Sequence, residues 1–120
     1  MLVKAYELIA AVEDQHLRQV MKLFSECATG VCEGQQYDMD FEQSDEVSIE
    51  DYLEMIRLKT AVLLGFALEL GGIIGGASSE DQALLRSFGE NIGIGFQIKD
   101  DLLDVFGDEQ KVGKQIAGDI

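Results

Sequence analysis

Apolar residues recur at helical spacing along almost the whole chain, and this periodicity limits the possible folds more than any other feature. No stretch of useful length alternates strictly between apolar and polar residues, as a half-buried strand would, and no segment is repeated. The periodicity predicts four helices: about Leu2 to Val12, Asp14 to Phe41, Ser48 to Gly72 and Ser79 to Phe106. We therefore predict an all-α domain over residues 1–120, a helical bundle around one shared core.

Capping signals mark the starts of the last two predicted helices. Ser48 precedes two acidic residues in the first turn, where the helix dipole favours acids. Ser78 or Ser79 offers the equivalent cap for the last helix, after a turn predicted at the glycine pair that ends in Gly76.

The most apolar segment, Thr60 to Ala77, is close to the minimum length of a membrane span. Glu69 lies in its middle, and its several glycines weaken it as an isolated helix. We therefore predict a buried core helix and no membrane span.

The formal charge of −14, with 23 acidic residues against 9 basic ones, argues against two classes of partner. Nucleic acids and anionic membranes both bind through Lys and Arg, which are scarce here. An acidic excess usually forms a solvated surface, but part of it can bind cations. Cys27 and Cys32 lack the spacing of a zinc or redox motif, which predicts two buried, reduced thiols in a cytoplasmic protein. The N-terminal segment lacks the features of a signal peptide.

The last predicted helix carries a narrow polar line between apolar walls. On a wheel of about 100° per residue, four positions share an arc of about 60°: Gly93, Gln97, Asp100 and Asp104. The apolar residues that flank this line are Leu85, Phe96, Leu103, Ile94, Ile98, Leu102 and Val105. Because a surface helix has one broad polar face instead, the pattern indicates a cavity inside a helix bundle.

Asp100 and Asp104 are neighbours on this helix and repel each other, and Asp101 adds a third negative charge. A divalent cation removes the conflict, and magnesium prefers carboxylate oxygens together with substrate phosphates. On the wheel, Asp101 points about 80° away from the polar line. We therefore predict Asp100 as the principal ligand and Asp104 as its helper, with Asp101 as the weakest candidate. The alternative is a solvated acidic helix end.

Two other predicted helices carry polar residues on apolar faces. Lys59 lies among apolar residues, where a lysine either extends to solvent or meets an anion, and Thr60 follows it. In the second helix, an apolar stripe continues as Gln35, Asp38 and Glu42, which indicates either a helix running into a polar cleft or one that merely reaches solvent. Lysine, amides, carboxylates and a metal together suit a diphosphate.

Two common arrangements are missing from the sequence. The GGIIGGAS stretch does not match the P-loop pattern. His16, the only histidine, lies in a polar stretch and belongs to no nucleophile–base triad. The candidate chemistry therefore depends on the metal, lysine and amide groups.

Three ordered motifs resemble those of the trans-isoprenyl diphosphate (polyprenyl) synthases, such as farnesyl or geranylgeranyl diphosphate synthase. Gly34 to Asp38 resembles the GQxxD segment of this family, and Tyr52 to Thr60 resembles its YxxMIxxKT segment. Phe96 to Asp104 resembles the second aspartate-rich motif, FQxxDDxLD. The resemblance covers essentially the whole chain and implies a helical bundle of the isoprenoid synthase type, with about four of its helices present.

The resemblance implies a magnesium-dependent prenyltransferase of isoprenoid biosynthesis, which joins isopentenyl diphosphate to an allylic diphosphate such as geranyl diphosphate. Asp100 would bind the magnesium, helped by Asp101 and Asp104. Lys59 and Lys114 would bind the allylic diphosphate.

The same resemblance implies roles for four further groups. Thr60 and Gln97 would lie beside the developing allylic cation, and Gln35 and Asp38 would line the cavity. The allylic C–O bond would ionise, the double bond of isopentenyl diphosphate would attack, and a proton would then be lost.

Departures from the family pattern imply a partial domain. The first aspartate-rich motif, with the basic residues that bind isopentenyl diphosphate, would lie before Met1. The segment Ala117 to Asp119 shifts or loses the first glycine of a GxD motif, and a further lysine would follow the chain. We therefore expect the isolated chain not to catalyse elongation. The family usually forms homodimers through its early-middle helices, which makes residues 1–39 the candidate interface.

Two alternatives stay open on the sequence. A non-catalytic helical partner or regulatory module of a prenyl synthase would share the fold, but it would not need the KT and DDxxD residues. A terpene cyclase also uses aspartate-rich metal sites, but the joint GQxxD, KT and FQ pattern speaks against it.

Overall fold

The structure, a computed structural model, describes residues 1–106, and within that range it is all-α, as predicted. Its elements are α1 (Leu2–Ala10), α2 (Asp14–Glu42), α3 (Ile49–Ile56), a π-helical segment (Arg57–Ala61), α4 (Val62–Ile74) and α5 (Ser79–Phe106). The third predicted helix corresponds to α3, the π segment and α4, which follow one another without a break. The helices are packed into an elongated body of 51 × 27 × 26 Å.

The predicted caps are present at two of the helix starts. The Ser48 hydroxyl accepts a hydrogen bond of 3.0 Å from the backbone N–H of Asp51. At the start of α5 the cap is Ser78, whose hydroxyl accepts from the backbone N–H of Asp81 at 3.1 Å. Gly76 forms the preceding turn with a φ of 85°, a left-handed conformation that suits glycine.

The core lies where α2 packs between α1 and α4. Its buried side chains are Ile9, Val20, Phe24, Cys27, Phe66 and Ile73. The Phe24 ring contacts Tyr6 edge-on at 4.7 Å between centroids and Phe66 at 5.9 Å. These apolar and aromatic contacts join the three helices and hold the long α2 in place.

The most apolar segment is buried on one side only. Gly65, Phe66, Gly72 and Ile73 are buried, whereas Leu63, Leu64, Leu68 and Ile74 are exposed. The prediction of a core helix therefore holds for one face of α4 within residues 1–106. Burial raises the pKa of Glu69 in this helix, although Arg86 acts in the opposite direction. Within residues 1–106, the helices all fall short of the length and apolar character needed to cross a membrane.

The prediction of two buried thiols is only half right. Cys27 is buried and its Sγ lies 3.8 Å from the carbonyl oxygen of Val62, while Cys32 is exposed, and both thiols are free. The five-residue separation explains the difference, because it turns the second side chain by about 140° around α2, away from the core. Burial raises the pKa of Cys27.

The apolar flanks of α5 are largely exposed in residues 1–106. The exposed apolar residues of this helix are Leu84, Phe88, Ile92, Phe96, Leu102, Leu103, Val105 and Phe106. Of the predicted cavity walls, Val105 lines the cleft described below, whereas Phe96 and Leu103 face solvent.

Candidate functional site

A cleft of about 540 Å³ lies where the C-terminal end of α2, the α3–π segment and the C-terminal end of α5 meet. Its lining residues are Asp38, Phe41, Glu42, Tyr52, Met55, Ile56, Lys59, Thr60, Gln97, Asp100, Asp101, Asp104 and Val105. Polar residues predicted on the apolar faces of three separate helices therefore converge on one cleft.

Three carboxylates form one wall of the cleft. Asp100, Asp101 and Asp104 each offer an oxygen, and these three oxygens lie within 4.8 Å of one another. Asp100 is exposed, while Asp101 and Asp104 are half-buried. Carboxylates this close repel unless a cation or hydrogen-bond donors compensate their charge. A donor set made only of oxygen atoms fits a hard divalent ion such as Mg²⁺.

The opposite wall is formed by the π segment. A π turn carries one residue more than an α turn, and such single-turn insertions are frequent at functional sites. Here it contains Lys59 and Thr60, both of which line the cleft. The Lys59 Nζ lies 2.6 Å from Oδ2 of Asp38 on α2 and forms a half-buried ion pair with it. The ammonium group is therefore held at the wall of the cleft that the aspartate cluster also lines.

Hydrogen bonds connect the two walls. The Thr60 hydroxyl donates to Oε1 of Gln97 at 3.4 Å, and Nε2 of Gln97 donates to Oδ1 of Asp101 at 2.9 Å. Tyr52 of α3 donates its hydroxyl proton to Oδ2 of Asp101. Burial, followed by this bond to Asp101, raises the pKa of Tyr52 well above its ordinary value. Both oxygens of Asp101 therefore accept hydrogen bonds.

Most of the predicted site residues line this cleft. The predicted residues that line the cleft are Lys59, Thr60, Gln97, Asp38, Asp100, Asp101 and Asp104. Gln35 is exposed and is not among the lining residues of this cleft. Lys114 lies outside the described residues. The ligand ranking of the three aspartates stays a prediction.

Asp101, although about 80° from the polar line as a whole, is only about 40° from Gln97 on the wheel. In the structure its carboxylate bonds to Gln97, one helical turn earlier on the same face. Residues four apart are neighbours on a helix, so this hydrogen bond agrees with the wheel, and the ranking of Asp101 as the weakest ligand stays a prediction.

Sequence reasoning missed two features of the site. One is the role of Tyr52, whose ring fits the apolar face around Lys59 and whose hydroxyl gives no sign in the sequence of a partner 49 residues away. The π segment has no signal in residue type. Gly34 is an indirect sign of it, because a glycine inside a helix can mark the close approach of another backbone. An added Cβ at Gly34 would lie 2.5 Å from the backbone nitrogen of Lys59.

A second cavity, of about 440 Å³, has a different character. It is lined by residues of α2, the π segment, α4 and α5, including Arg57 and Arg86. Arg57 pairs with Glu54 at 2.7 Å, and Arg86 pairs with Glu90 at 3.0 Å. These arginines are compensated by glutamates within the protein, so this cavity is a poorer candidate for an anionic ligand than the first cleft.

A family model and curated proteins match this chain to one kind of protein. A family model described as Polyprenyl synthetase matches residues 1–120. The chain is 42% identical over 119 residues to the geranylgeranyl diphosphate synthase of Methanosarcina mazei, covering 98% of this chain and 37% of that protein. It is 38% identical over 118 residues to the short chain isoprenyl diphosphate synthase of Methanocaldococcus jannaschii, covering 98% of this chain and 36% of that protein.

Solved structures give the same result at the level of the fold. A geranylgeranyl pyrophosphate synthase superposes with a TM-score of 0.84 and 48% identity, covering 89% of this chain and 33% of that one. The geranylgeranyl pyrophosphate synthetase from Pyrococcus horikoshii has a TM-score of 0.82 and 39% identity, with coverage of 92% and 35%. The chain thus spans only about a third of the length of the proteins it matches.

Proposed function

Because the chain belongs to the polyprenyl synthetase family, we propose that it carries the metal and allylic-diphosphate half of a prenyltransferase site. The proposed reaction condenses isopentenyl diphosphate with an allylic diphosphate, such as geranyl diphosphate, into a longer trans-isoprenyl diphosphate. The names of its relatives, geranylgeranyl and short chain isoprenyl diphosphate synthases, support this substrate class. The isolated 120-residue chain, with one aspartate-rich motif, is proposed to bind the allylic substrate without elongating it.

The single observation that carries the proposal is the convergence of three carboxylates and a lysine on one cleft. Asp100, Asp101 and Asp104 would hold Mg²⁺, with Asp100 as the principal ligand. When bound, the metal would neutralise diphosphate charge, including the charge that develops as the C–O bond breaks. Lys59 would donate hydrogen bonds to the diphosphate from the facing wall, while Asp38 keeps its Nζ in position.

Two further groups suit the carbon end of the substrate. The Thr60 hydroxyl and the Gln97 amide lie side by side between the lysine and the aspartates. Their dipoles are fixed by hydrogen bonds before any substrate arrives, and fixed dipoles stabilise a developing charge without reorganising. They would therefore stabilise the allylic cation left when the diphosphate departs with the bonding electron pair. Lys114 and Gln35 stay in the proposal on the family resemblance alone.

We expect the chain to bind geranyl diphosphate in a magnesium-dependent manner. Asp100→Ala and Lys59→Ala should each weaken this binding at least tenfold, because each removes a charge that faces the diphosphate or its metal. Isothermal titration with and without MgCl₂ measures the effect.

Matched controls distinguish the loss of a site residue from a change in the overall charge of the chain. Asp40→Ala and Lys22→Ala remove the same charges from exposed positions of α2 outside the cleft, and both should bind like the parent. If Asp100→Ala and Lys59→Ala also bind like the parent, the proposed site is wrong. A chain that binds no diphosphate at all would favour the non-catalytic partner module.

We also propose a homodimer formed through residues 1–39, in the cytoplasm. The support within that segment is the exposure of several apolar side chains of α1, including Leu2, Val3 and Leu8. The two free thiols agree with a reducing compartment. Sedimentation velocity should give a dimer for the parent chain and a monomer for Leu8→Glu, and a dimer that survives this change would contradict the interface.

A further inference from the structure

Tyr52, on α3, makes a hydrogen bond to the aspartate cluster of α5. Its hydroxyl donates to Oδ2 of Asp101, and the two residues are 49 positions apart in the sequence. The ring itself is half-buried in the cleft wall. The bond therefore ties the aspartate wall of α5 to the helix that leads into the π segment.

Asp101 is held from two sides. Oδ2 accepts from Tyr52, while Oδ1 accepts from Nε2 of Gln97 at 2.9 Å. Gln97 is itself oriented by the Thr60 hydroxyl, since an amide that accepts at Oε1 must present its NH₂ group on the other side. The chain of bonds from Thr60 to Tyr52 thus fixes one carboxylate of the cluster in both position and direction.

Holding a carboxylate in this way does not prevent it from binding a metal. Each ionised carboxylate oxygen has two lone pairs, and one hydrogen bond uses only one of them. Groups that hydrogen-bond metal ligands fix their orientation, and the loss of such a group commonly weakens metal binding 10-fold to 100-fold. In a cluster whose three oxygens lie within 4.8 Å, a neutral donor also lowers the repulsion that opposes assembly.

We infer that Tyr52 is a positioning residue of the metal site, whose hydroxyl holds Asp101 in the orientation that completes the three-carboxylate cluster. This inference rests on the proposed function, because it assumes that the cluster binds magnesium for an allylic diphosphate. A tyrosine that served only to fill the apolar wall would be replaceable by phenylalanine without effect. The hydroxyl, and not the ring, is therefore the group to test.

The test is the Mg²⁺ concentration that gives half of the metal-supported binding of geranyl diphosphate. Tyr52→Phe should raise this concentration about tenfold, because it removes only the donor to Asp101. Tyr6→Phe, which removes a hydroxyl from the ring that packs against Phe24 in the core, should leave it unchanged.

A double-mutant cycle distinguishes positioning from a general structural role. If Tyr52 acts through Asp101, then Tyr52→Phe should add no further effect in an Asp101→Ala background, which has no acceptor for the hydroxyl. An equal effect in both backgrounds, or no effect in either, would overturn the inference. A parent chain that shows no magnesium-supported binding would instead refute the proposed function, so the two failures can be told apart.

Discussion

Replacing Gly89 by alanine is expected to destabilise the fold by about 2 kcal/mol, because α4 and α5 touch backbone to backbone at this point. A Cβ on Gly89 would lie 2.7 Å from the carbonyl oxygen of Leu64 and 2.8 Å from Cα of Gly65. On the other helix, a Cβ on Gly65 would lie 2.9 Å from the carbonyl oxygen of Arg86. Backbone atoms cannot rotate out of the way as side chains can, so the helices would have to separate.

The size of the effect follows from two opposing contributions. Alanine is favoured over glycine in a helix interior by about 1 kcal/mol. Overpacking typically costs about 1–3 kcal/mol, and the upper end applies here because the whole crossing must move. Since small domains have a free energy of unfolding of roughly 5–15 kcal/mol, a net loss of about 2 kcal/mol is a large part of the total.

Gly95 is the matched control on the same helix. A Cβ at Gly95 would meet no atom within 4 Å, so Gly95→Ala gains helix propensity without a clash. We expect it to raise the free energy of unfolding by up to about 1 kcal/mol. Urea denaturation followed by far-ultraviolet circular dichroism measures both variants. A Gly89→Ala protein as stable as the parent would show that the helices do not cross this closely.

The two glycines also illustrate what the sequence can and cannot predict. Periodicity and caps predicted the helices, because each signal is local: Ser48 needs only the amide three residues later. The crossing points are not local. Gly89 and Gly95 are equivalent in the sequence, and only the position of α4 distinguishes a crowded glycine from an open one.

The candidate site shows the same contrast between local signals, which the sequence carries, and tertiary positions, which it does not. Asp100 and Lys59 were predictable, because charged residues on apolar faces are conspicuous in a sequence. Their convergence on one cleft is a tertiary property, and it was expected from the family resemblance more than from the wheel. Tyr52 and the exposure of Cys32 were missed, since a hydroxyl or a thiol on an amphipathic helix has no sequence signal for its partner.

Replacing Gly34 by alanine should damage the fold and the site together. A Cβ there would lie 2.5 Å from the backbone nitrogen of Lys59, 2.8 Å from its Cα and 2.9 Å from the carbonyl carbon of Leu58. The π segment, which carries Lys59, thus rests directly on α2 at this glycine. We expect a net loss of about 2 kcal/mol in the free energy of unfolding, because the cost of overpacking exceeds the gain in helix propensity.

Gly30, one turn earlier on α2, is the matched control for this change. Its added Cβ would lie 3.5 Å from Cδ2 of Leu58 and 3.7 Å from Cγ2 of Val62, which are ordinary van der Waals distances. Gly30→Ala should therefore stabilise the chain by up to about 1 kcal/mol, because it gains helix propensity and fills space. A change from glycine to alanine is thus expected to raise the free energy of unfolding at Gly30 and to lower it at Gly34, one turn later.

Ligand binding by folded Gly34→Ala tests the effect on the site independently of the loss of stability. When the π segment is pushed away from α2, the Lys59 ammonium moves away from Asp38, its partner at 2.6 Å, and away from the cleft wall. The folded fraction of Gly34→Ala should therefore bind magnesium and geranyl diphosphate at least tenfold more weakly than the parent, since a misplaced charge no longer reaches the diphosphate. Gly30→Ala should bind like the parent. Titrations at temperatures where each variant is folded make the comparison, and parent-like binding by folded Gly34→Ala would mean that the contact with α2 does not position Lys59.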